Sequence, residues 1–258
     1  MNLLLEKQKR GELSLGTFTH LKSTAVVECM GCTGLDYVLI DSEHSALSTD
    51  QISAAITAAD AAGIMPLVRI NEISRRAVLH PLDAGARGLI VPAVKTVEQV
   101  RQLVEYAKFA PLGDRGFAPT RDGKWGTDEV SRRGVEAYME NSNREELLIP
   151  QCETVGCYEH IEEIAAMDGV DGIFVGPLDL SIALGHPLQM DAPELQQAIR
   201  RILDVCHQNG KLAIIYANDA GAALKMAALG FDSVTVGADA FLVMEAYQNL
   251  VGKIRSGL

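Results

Sequence analysis

Titratable side chains follow several apolar segments of this sequence, and their types are those of acid–base and metal chemistry. Residues 37–44 read YVLIDSEH, so a strand-like segment runs directly into Asp41, Glu43 and His44. A solvent-facing turn favours Gly, Pro or Asn, whereas a carboxylate beside a histidine is suited to proton transfer. The alternative is a helix cap, a role that Asp41 or Ser42 could fill alone.

Further polar residues stand at the ends of other apolar segments. Arg69 lies in MPLVRI, Gln151 and Glu153 come at the end of ELLIPQCE, and Asp179 follows GIFVG. Two carboxylates that face one cavity repel each other unless a positive charge lies between them. Glu153 and Asp179 therefore indicate a divalent, oxygen-preferring cation with open positions for substrate and water. The alternative is a structural salt bridge between a carboxylate and Arg69.

These residues need elements to position them, and the chain has a repeated strand–helix pattern. Short, continuous, β-branched segments are typical of strands that are covered on both faces. They lie at 16–18, 37–40, 65–70, 88–94, 146–152, 172–176, 212–216 and 233–237. Amphipathic segments separate them, which predicts an α/β protein with a parallel sheet that closes into a (β/α)8 TIM barrel. A doubly wound open sheet is the alternative, but it would place a glycine-rich phosphate turn after the first strand, where the chain reads THLKST.

A barrel of this kind carries its active site at the carboxyl ends of the strands, which is where the polar residues fall. Side chains alternate along a strand, so Gln151 and Glu153 point to one side and Cys152 to the other. We therefore expect Cys152 to be a packing residue. His20 also ends a strand, and it either lines the pocket or is an ordinary strand-end residue.

The length of 258 residues suits one barrel, so we predict a single domain over 1–258 with a leading helix at 1–13. The connection between the fourth and fifth strands is extended and covers 95–146. Within it, the basic loop 115–133 contains Arg115, Arg121 and Lys124. This loop is either a surface excursion or a mobile, basic cover over an anionic substrate.

Composition excludes several classes of partner. The net charge of −11 argues against nucleic acid, because phosphates would be repelled. No apolar run approaches the roughly 20 residues needed to span a membrane, and the N-terminus lacks the order of a signal peptide. We expect a cytoplasmic protein. The odd number of cysteines, five, argues against a disulfide framework, and we expect Cys29 and Cys32 to pack on a helix rather than form a redox or zinc motif.

A lysine mechanism is less well supported. A Schiff-base aldolase needs a lysine inside the barrel near the carboxyl end of a strand. Lys211 precedes its strand, while Lys22 and Lys95 are typical of helix entry.

Four segments together resemble one family of enzymes. IDSEH at 40–44, LVRI at 67–70, PQCET at 150–154 and VGPLDLS at 175–181 resemble the HpcH/HpaI family of metal-dependent pyruvate aldolases, and the likeness extends over nearly the whole chain. The resemblance implies a TIM barrel that forms hexamers, as trimers of dimers. It also implies cleavage of a 4-hydroxy-2-oxo acid into pyruvate, or a pyruvate-like 2-oxo acid, and an aldehyde.

The resemblance also assigns roles by position. Glu153 and Asp179 would hold Mg²⁺ or Mn²⁺, with Co²⁺ as a further candidate. Arg69 would contact the keto oxygen, and His44 would be the base, oriented by Asp41 or Asp83. The 2-oxo acid would contact Gln151 and the segment Gly176, Pro177, Leu178 and Asp179.

Two positions need separate comment. Tyr216 stands where the family tends to have an aliphatic residue, so we expect it to shape the aldehyde pocket. Asp83 lies late in the helix after the third strand, away from the active face of its own barrel. We therefore predict that Asp83 reaches a site only across a subunit interface.

Two other functions stay open at this stage. A phosphate-binding barrel isomerase or synthase would use VGAD at 236–239 as a phosphate cup, although the glycine content is low. A non-catalytic oligomeric barrel would have no need to keep Arg69, Glu153, Asp179 and His44 together.

Overall fold

A computed structural model of the protein describes residues 2–257, so residue 1 of the predicted leading helix and residue 258 lie outside it. Eight parallel strands form a closed barrel in chain order. They are β1 (Ser14–Thr19), β2 (Tyr37–Asp41), β3 (Met65–Arg69), β4 (Gly88–Val91), β5 (Leu147–Cys152), β6 (Gly172–Val175), β7 (Leu212–Ala217) and β8 (Ser233–Ala238). β8 pairs with β1, with Ser14 opposite Ser233. The TIM barrel prediction is confirmed, and the open sheet is wrong.

Helices connect the strands and form the outer layer. They are α1 (Leu3–Arg10), α2 (Thr24–Gly31), α3 (Thr49–Ala62), α4 (Arg75–Asp83), α5 (Val97–Ala107), α6 (Val135–Glu145), α7 (Val155–Glu159), α8 (Ile161–Ala165), α9 (Pro177–Ala183), α10 (Pro193–Gln208), α11 (Ala220–Leu229) and α12 (Asp239–Ser256). Local sequence sets their ends: Ser48 and Gln51 form a capping box at α3, and Gly63 ends that helix in the left-handed conformation.

The leading helix closes the amino-terminal end of the barrel. Leu4 is fully buried against the residues inside the barrel, which contributes roughly 1.5–3 kcal/mol. The Asn2 side-chain amide donates to the carbonyls of Arg87 at 3.1 Å and Glu145 at 2.8 Å. The predicted helix is therefore confirmed over residues 3–10, whereas the assignment of all 258 residues to one domain stays a prediction.

The basic loop 115–133 lies at the amino-terminal end of the barrel, away from the strand ends where the polar residues collect. Arg115 donates to Asp83 at 3.0 Å and also to Glu146. Arg121 donates to Asp60 at 2.8 Å, near the end of α3. These acidic partners precede the strands rather than follow them. The idea that the loop covers the substrate site of its own chain is therefore wrong.

The cysteines behave in two ways. Cys152 is buried and packs beside Cys157 in the layer between strands and helices, as strand alternation predicted. Cys29 and Cys32 are both exposed on the outer side of α2, because Val27 and Met30 supply the buried face of that helix. The prediction that this pair is buried packing is wrong.

Within residues 2–257, no helix combines the length and the hydropathy that a membrane-crossing segment needs.

Candidate active site

The carboxyl ends of the strands bring most of the predicted site residues to one cavity. Asp41 and Arg69 are the last residues of β2 and β3 and are register partners, so both side chains point into the barrel mouth. The cavity has a volume of about 140 Å³ and is lined by His44, Arg69, Gln151, Asp179, Tyr216 and residues 176–178. A larger cavity of about 210 Å³ lies outside the barrel between α3 and α4 and contains none of the predicted site residues.

Asp41 anchors the cationic side of this cavity. Its Oδ1 accepts from Arg69 Nε at 2.9 Å and its Oδ2 from Arg69 Nη2 at 2.7 Å. His20 Nε2 lies 3.0 Å from Oδ2. Burial alone would raise the pKa of Asp41, but the bonds from His20 and Arg69 and the charge of Arg69 outweigh it and hold that pKa well below its ordinary value. The expectation that Asp41 orients the His44 ring is wrong, since His20 is the imidazole beside it.

His44 stands at the rim rather than inside the cluster. Its side chain is 63% exposed, and its Nε2 lies 3.7 Å from Glu43 Oε2. Its backbone N–H donates to Asp41 Oδ1 at 3.4 Å. The ring is thus open to a substrate at the cavity mouth and to a neighbouring chain.

Glu43 belongs to the site, although the sequence reasoning gave it no role there. Its Oε2 lies 3.2 Å from Arg69 Nη1. Burial raises the pKa of Glu43, and the charges of Arg69 and His44 oppose this. Arg69 is therefore paired with Asp41 and Glu43, and the structural salt bridge raised as an alternative involves these two carboxylates and not Glu153 or Asp179.

Glu153 follows β5 and is held in place by its neighbours. It is 8% exposed; its Oε1 accepts from the Ala93 backbone N–H at 2.6 Å, and its Oε2 accepts from Gln151. Burial raises the pKa of Glu153; the bonds from Ala93 and Gln151 oppose the rise, while the charges of Glu43 and Asp179 add to it. This carboxylate is thus short of positive charge.

These features fit a divalent cation. Asp179 lines the cavity, and Glu153 lies beside the lining residues Gln151 and Gly176, where the charge of Asp179 acts on it. The buried Gln151 Oε1 has no hydrogen-bond partner within the described chain. Apart from the histidines, Arg69 is the one basic side chain that the described residues contribute to the cavity lining. Asp41 and Glu43 already neutralise its charge. Residues 2–257 contain no group of three or more His, Cys, Asp or Glu side chains arranged as metal ligands. A metal on Glu153 and Asp179 would therefore complete its oxygen shell with substrate and water.

Asp83 is the predicted site residue that the structure does not bring to the cavity. It is the last residue of α4 and lies 3.0 Å from Arg115 at the amino-terminal end of the barrel. Burial raises the pKa of Asp83, and the hydrogen bond and charge of Arg115 oppose the rise. Within its own chain Asp83 is far from the cavity, as its sequence position indicated.

Three aromatic residues of the cavity were missed by the sequence reasoning. Phe18, Phe174 and Phe241 line it, and the Arg69 guanidinium lies 4.6 Å above the centroid of the Phe18 ring, an attractive cation–π geometry. Strand alternation could have found Phe18, which is two residues before His20. Phe241 gave no comparable signal, because it lies in the first turn of α12.

Known proteins are similar to this chain in sequence and in fold. The family model described as HpcH/HpaI aldolase/citrate lyase matches residues 14–246. A 2-keto-3-deoxy-L-rhamnonate aldolase from Klebsiella pneumoniae is 33% identical over 249 residues, which are 96% of this chain and 91% of the relative. A second relative of the same name, from Salmonella gallinarum, is 31% identical and covers 99% of this chain and 96% of its own length.

Solved structures agree. An HpcH/HpaI aldolase/citrate lyase family protein from Burkholderia cenocepacia superposes with a TM-score of 0.90 at 30% identity, covering 99% of this chain and 100% of that one. The citrate synthase SbnG superposes with a TM-score of 0.88 at 28% identity, covering 98% of each chain. The resemblance found in the four sequence segments is thereby confirmed. With the family match and the near full-length relatives, it shows that this chain is an enzyme of the HpcH/HpaI aldolase/citrate lyase family.

Proposed function

We propose that the chain is a class II aldolase that reversibly cleaves a 4-hydroxy-2-oxo acid into pyruvate, or a pyruvate-like 2-oxo acid, and an aldehyde. The observation that carries this proposal is a pair of carboxylates, Asp179 in the cavity lining and Glu153 bonded to the lining residue Gln151, at a cavity that also contains the anchored guanidinium of Arg69. The names of the relatives suggest the substrate class, a 2-keto-3-deoxy sugar acid.

Glu153 and Asp179 would hold the metal, for which Mg²⁺ and Mn²⁺ are the first candidates and Co²⁺ the third. When bound, such an ion supplies Lewis-acid polarisation of the 2-keto oxygen, worth several kcal/mol in the transition state. Gln151 and the backbone of residues 176–179 would orient the 2-oxo acid against it.

Arg69 would stabilise the enolate that forms when the carbon–carbon bond breaks. Its charge-assisted hydrogen bond to the keto oxygen gains strength as negative charge develops there. Asp41 and Glu43 hold the guanidinium before the substrate arrives, so little reorganisation accompanies the reaction.

His44 would accept the proton of the 4-hydroxyl group. General base catalysis typically contributes about 10²–10⁴-fold, which is a minor share of an aldolase rate enhancement. The exposed ring needs a carboxylate to orient it, and Asp83 of a second chain would supply one. Tyr216 would contact the aldehyde portion of the substrate.

We also propose that the protein is a homo-oligomer, a hexamer built as a trimer of dimers. Every residue of α12 from Phe241 onward is exposed in the single chain. Val243, Tyr247, Leu250 and Ile254 share one face of that helix at i, i+4, i+7 and i+11. An apolar helix face of this size marks an interaction surface, and a second copy of the chain would cover it.

The other functions have less support. Asp239 occupies the place where a phosphate cup would lie. Its carboxylate accepts hydrogen bonds from the backbone N–H groups of His20, Leu21 and Ala240. A phosphate there would be repelled. No lysine lines the cavity in the described part of the chain, which weakens a Schiff-base mechanism. A non-catalytic barrel leaves the buried, underneutralised Glu153 without explanation.

The remaining expectations rest on charge and hydropathy. We propose a cytoplasmic enzyme that acts on small molecules; its net charge of −11 argues against nucleic acid and anionic membranes as partners.

The proposal can be tested by enolate formation from pyruvate, the half of the reaction that needs no aldehyde. Pyruvate in D₂O with Mg²⁺ or Mn²⁺ should exchange its methyl protons, because enolate formation needs no aldehyde, only the metal side of the site, Arg69 and a base that takes the methyl proton and exchanges it with solvent. Proton NMR of the methyl signal follows the exchange. Exchange that persists in EDTA, or that never occurs, would contradict a metal-dependent aldolase.

A further inference from the structure

His20 is held firmly at the cavity by side-chain contacts. Its Nε2 lies 3.0 Å from Asp41 Oδ2. Its ring packs between Phe18, at a centroid distance of 5.9 Å, and Phe241, edge-on at 6.3 Å. The side chain is 24% exposed, so part of the ring faces the cavity.

The backbone that carries His20 is fixed as well. Asp239 is 3% exposed and accepts from Thr19 Oγ1 at 2.7 Å, from His20 N at 2.8 Å and from Leu21 N at 3.1 Å. Residues 19–21 are therefore clamped to the start of α12. A side chain whose backbone and ring are both held in this way is suited to selective recognition.

The barrel topology places His20 opposite the proposed metal side. In a closed barrel of eight strands in chain order, β1 lies four strands from β5 in either direction. His20 follows β1, and Glu153 follows β5. A substrate with its 2-oxo acid at Glu153 and Asp179 therefore extends its remaining carbons toward His20, Tyr216 and Phe241.

This opposite wall has few polar atoms. Phe18, Phe241 and Ala238 contribute only carbon, while His20 and Tyr216 contribute the polar groups. Nε2 of His20 is buried 3.0 Å from Asp41 Oδ2, so Nδ1 is the ring nitrogen left to bond a substrate, and an imidazole nitrogen can accept a hydrogen bond. A hydroxyl group on the substrate can donate to it.

We propose that His20 is a specificity residue that accepts a hydrogen bond from a hydroxyl group on carbon 2 of the aldehyde. The enzyme then prefers 2-hydroxyaldehydes over the matching deoxy aldehydes. This inference rests on the proposed aldolase function and adds the residue that distinguishes the two classes of acceptor.

The test uses two acceptors that differ by one hydroxyl group, 2-hydroxypropanal and propanal, each condensed with pyruvate and Mn²⁺. The ratio of kcat/KM for the two aldehydes is measured in wild type, His20→Phe, His20→Asn and His160→Asn. Phenylalanine keeps the ring contacts with Phe18 and Phe241 but removes both nitrogens. His160 is exposed on the helical layer and serves as the matched control.

We expect the ratio to favour 2-hydroxypropanal in wild type and in His160→Asn. In His20→Phe the ratio should fall about tenfold, through loss of activity on the hydroxylated aldehyde alone. Methyl-proton exchange of pyruvate should remain measurable in both His20 variants, which also shows that they fold.

Three results would overturn the assignment. The first is a wild-type ratio near one, and the second is an unchanged ratio in both His20 variants. The third is loss of methyl exchange in both variants, which would place His20 in enolate formation instead. An absence of methyl exchange in wild type would instead reject the proposed function itself.

Discussion

At the level of single residues, Asp41 holds the Arg69 guanidinium in place. Both its oxygens are bonded to Arg69, and one also faces His20. The carboxylate is fully buried, so removing its charge leaves a buried guanidinium without its main partner. Activity and stability should therefore both depend on it.

Asp41→Asn should reduce the free energy of unfolding by about 3 kcal/mol at neutral pH, the order of cost for breaking a buried ion pair. The pKa of Asp41 lies below its ordinary value of 3.8 in the folded protein. Its contribution is therefore complete above that value and is lost as the pH falls through the folded pKa.

Urea denaturation at pH 6 and pH 3 tests whether the stabilisation by Asp41 decreases on acidification. Wild type should lose more stability than Asp41→Asn on acidification, so the gap between the two proteins should narrow. A gap that stays constant or widens at pH 3 would show that Asp41 is not the acid-labile group proposed.

Most residues of the site could be located from the sequence, but the hydrogen-bond partners of those residues could not. Asp41, Arg69 and Glu153 were found because each ends or follows a buried strand. The partner of Asp41 was misassigned to His44, three residues away. His20 reaches Asp41 instead because β1 and β2 are neighbours in the barrel, a contact that sequence spacing does not reveal.

At the level of secondary-structure elements, two short connections that follow strands support the Glu153 side chain. Ala93, after β4, adopts a left-handed conformation with φ 55°, which is unusual for alanine. It directs its N–H to Glu153. Gly176, after β6, lies so close that a Cβ there would be 2.9 Å from Glu153 Oε2 and 3.0 Å from Gln151 Nε2.

Gly176→Ala should therefore displace the Glu153 carboxylate. Disturbing the support of a metal ligand typically costs 10–100-fold in affinity or activity, and we expect that range for Mn²⁺ binding measured by calorimetry. Gly252→Ala, with no atom within 4 Å of the added Cβ, is the control. Equal Mn²⁺ affinity in the two variants would show that Gly176 is not needed to position the Glu153 carboxylate.

The strands were predictable because each is covered on both faces and reads as a continuous apolar segment. Loop 115–133 was not, because its position depends on ion pairs with distant residues. Arg115 pairs with Asp83 and Glu146, and Arg121 with Asp60. Its basic composition indicated an anionic partner without revealing that the protein's own carboxylates fill that role.

An exposed helix dominates the surface of the whole molecule. The first turn of α12 contacts the barrel through Asp239 and Phe241, and the apolar face of the helix beyond it is uncovered in the single chain. Most of the stability of a helix in a protein comes from the packing of its apolar face. Its stability therefore depends on a partner surface, for which we propose a second copy.

Leu250→Asp should weaken self-association, because a charge would be buried in the apolar face. Loss of a central interface residue typically costs about 2 kcal/mol or more, so the dissociation constant should rise roughly 30-fold. Analytical ultracentrifugation measures the change, with Asn249→Asp on the opposite face of α12 as control. Identical sedimentation of both variants and wild type would mean that α12 is not the interface.

Assembly should also complete the active site, since Asp83 is far from the cavity of its own chain. His44→Ala and Asp83→Asn should each be weakly active alone. After the two are mixed and reassociated, sites that combine an intact His44 with the partner's intact Asp83 should form in roughly a quarter of cases, as random pairing of two subunits requires. Pyruvate release by the mixture should rise accordingly. No gain on mixing would place Asp83 outside the reaction.

The most direct test of the central claim is pyruvate release from 2-keto-3-deoxy-L-rhamnonate, coupled to lactate dehydrogenase, with Mg²⁺ or Mn²⁺ and then with EDTA. We predict release that needs the metal, that borohydride does not affect, and that chelation lowers more than His44→Ala does, because the base contributes only about 10²–10⁴-fold. Release that survives EDTA and is abolished by borohydride, or no release with either metal, would contradict the account.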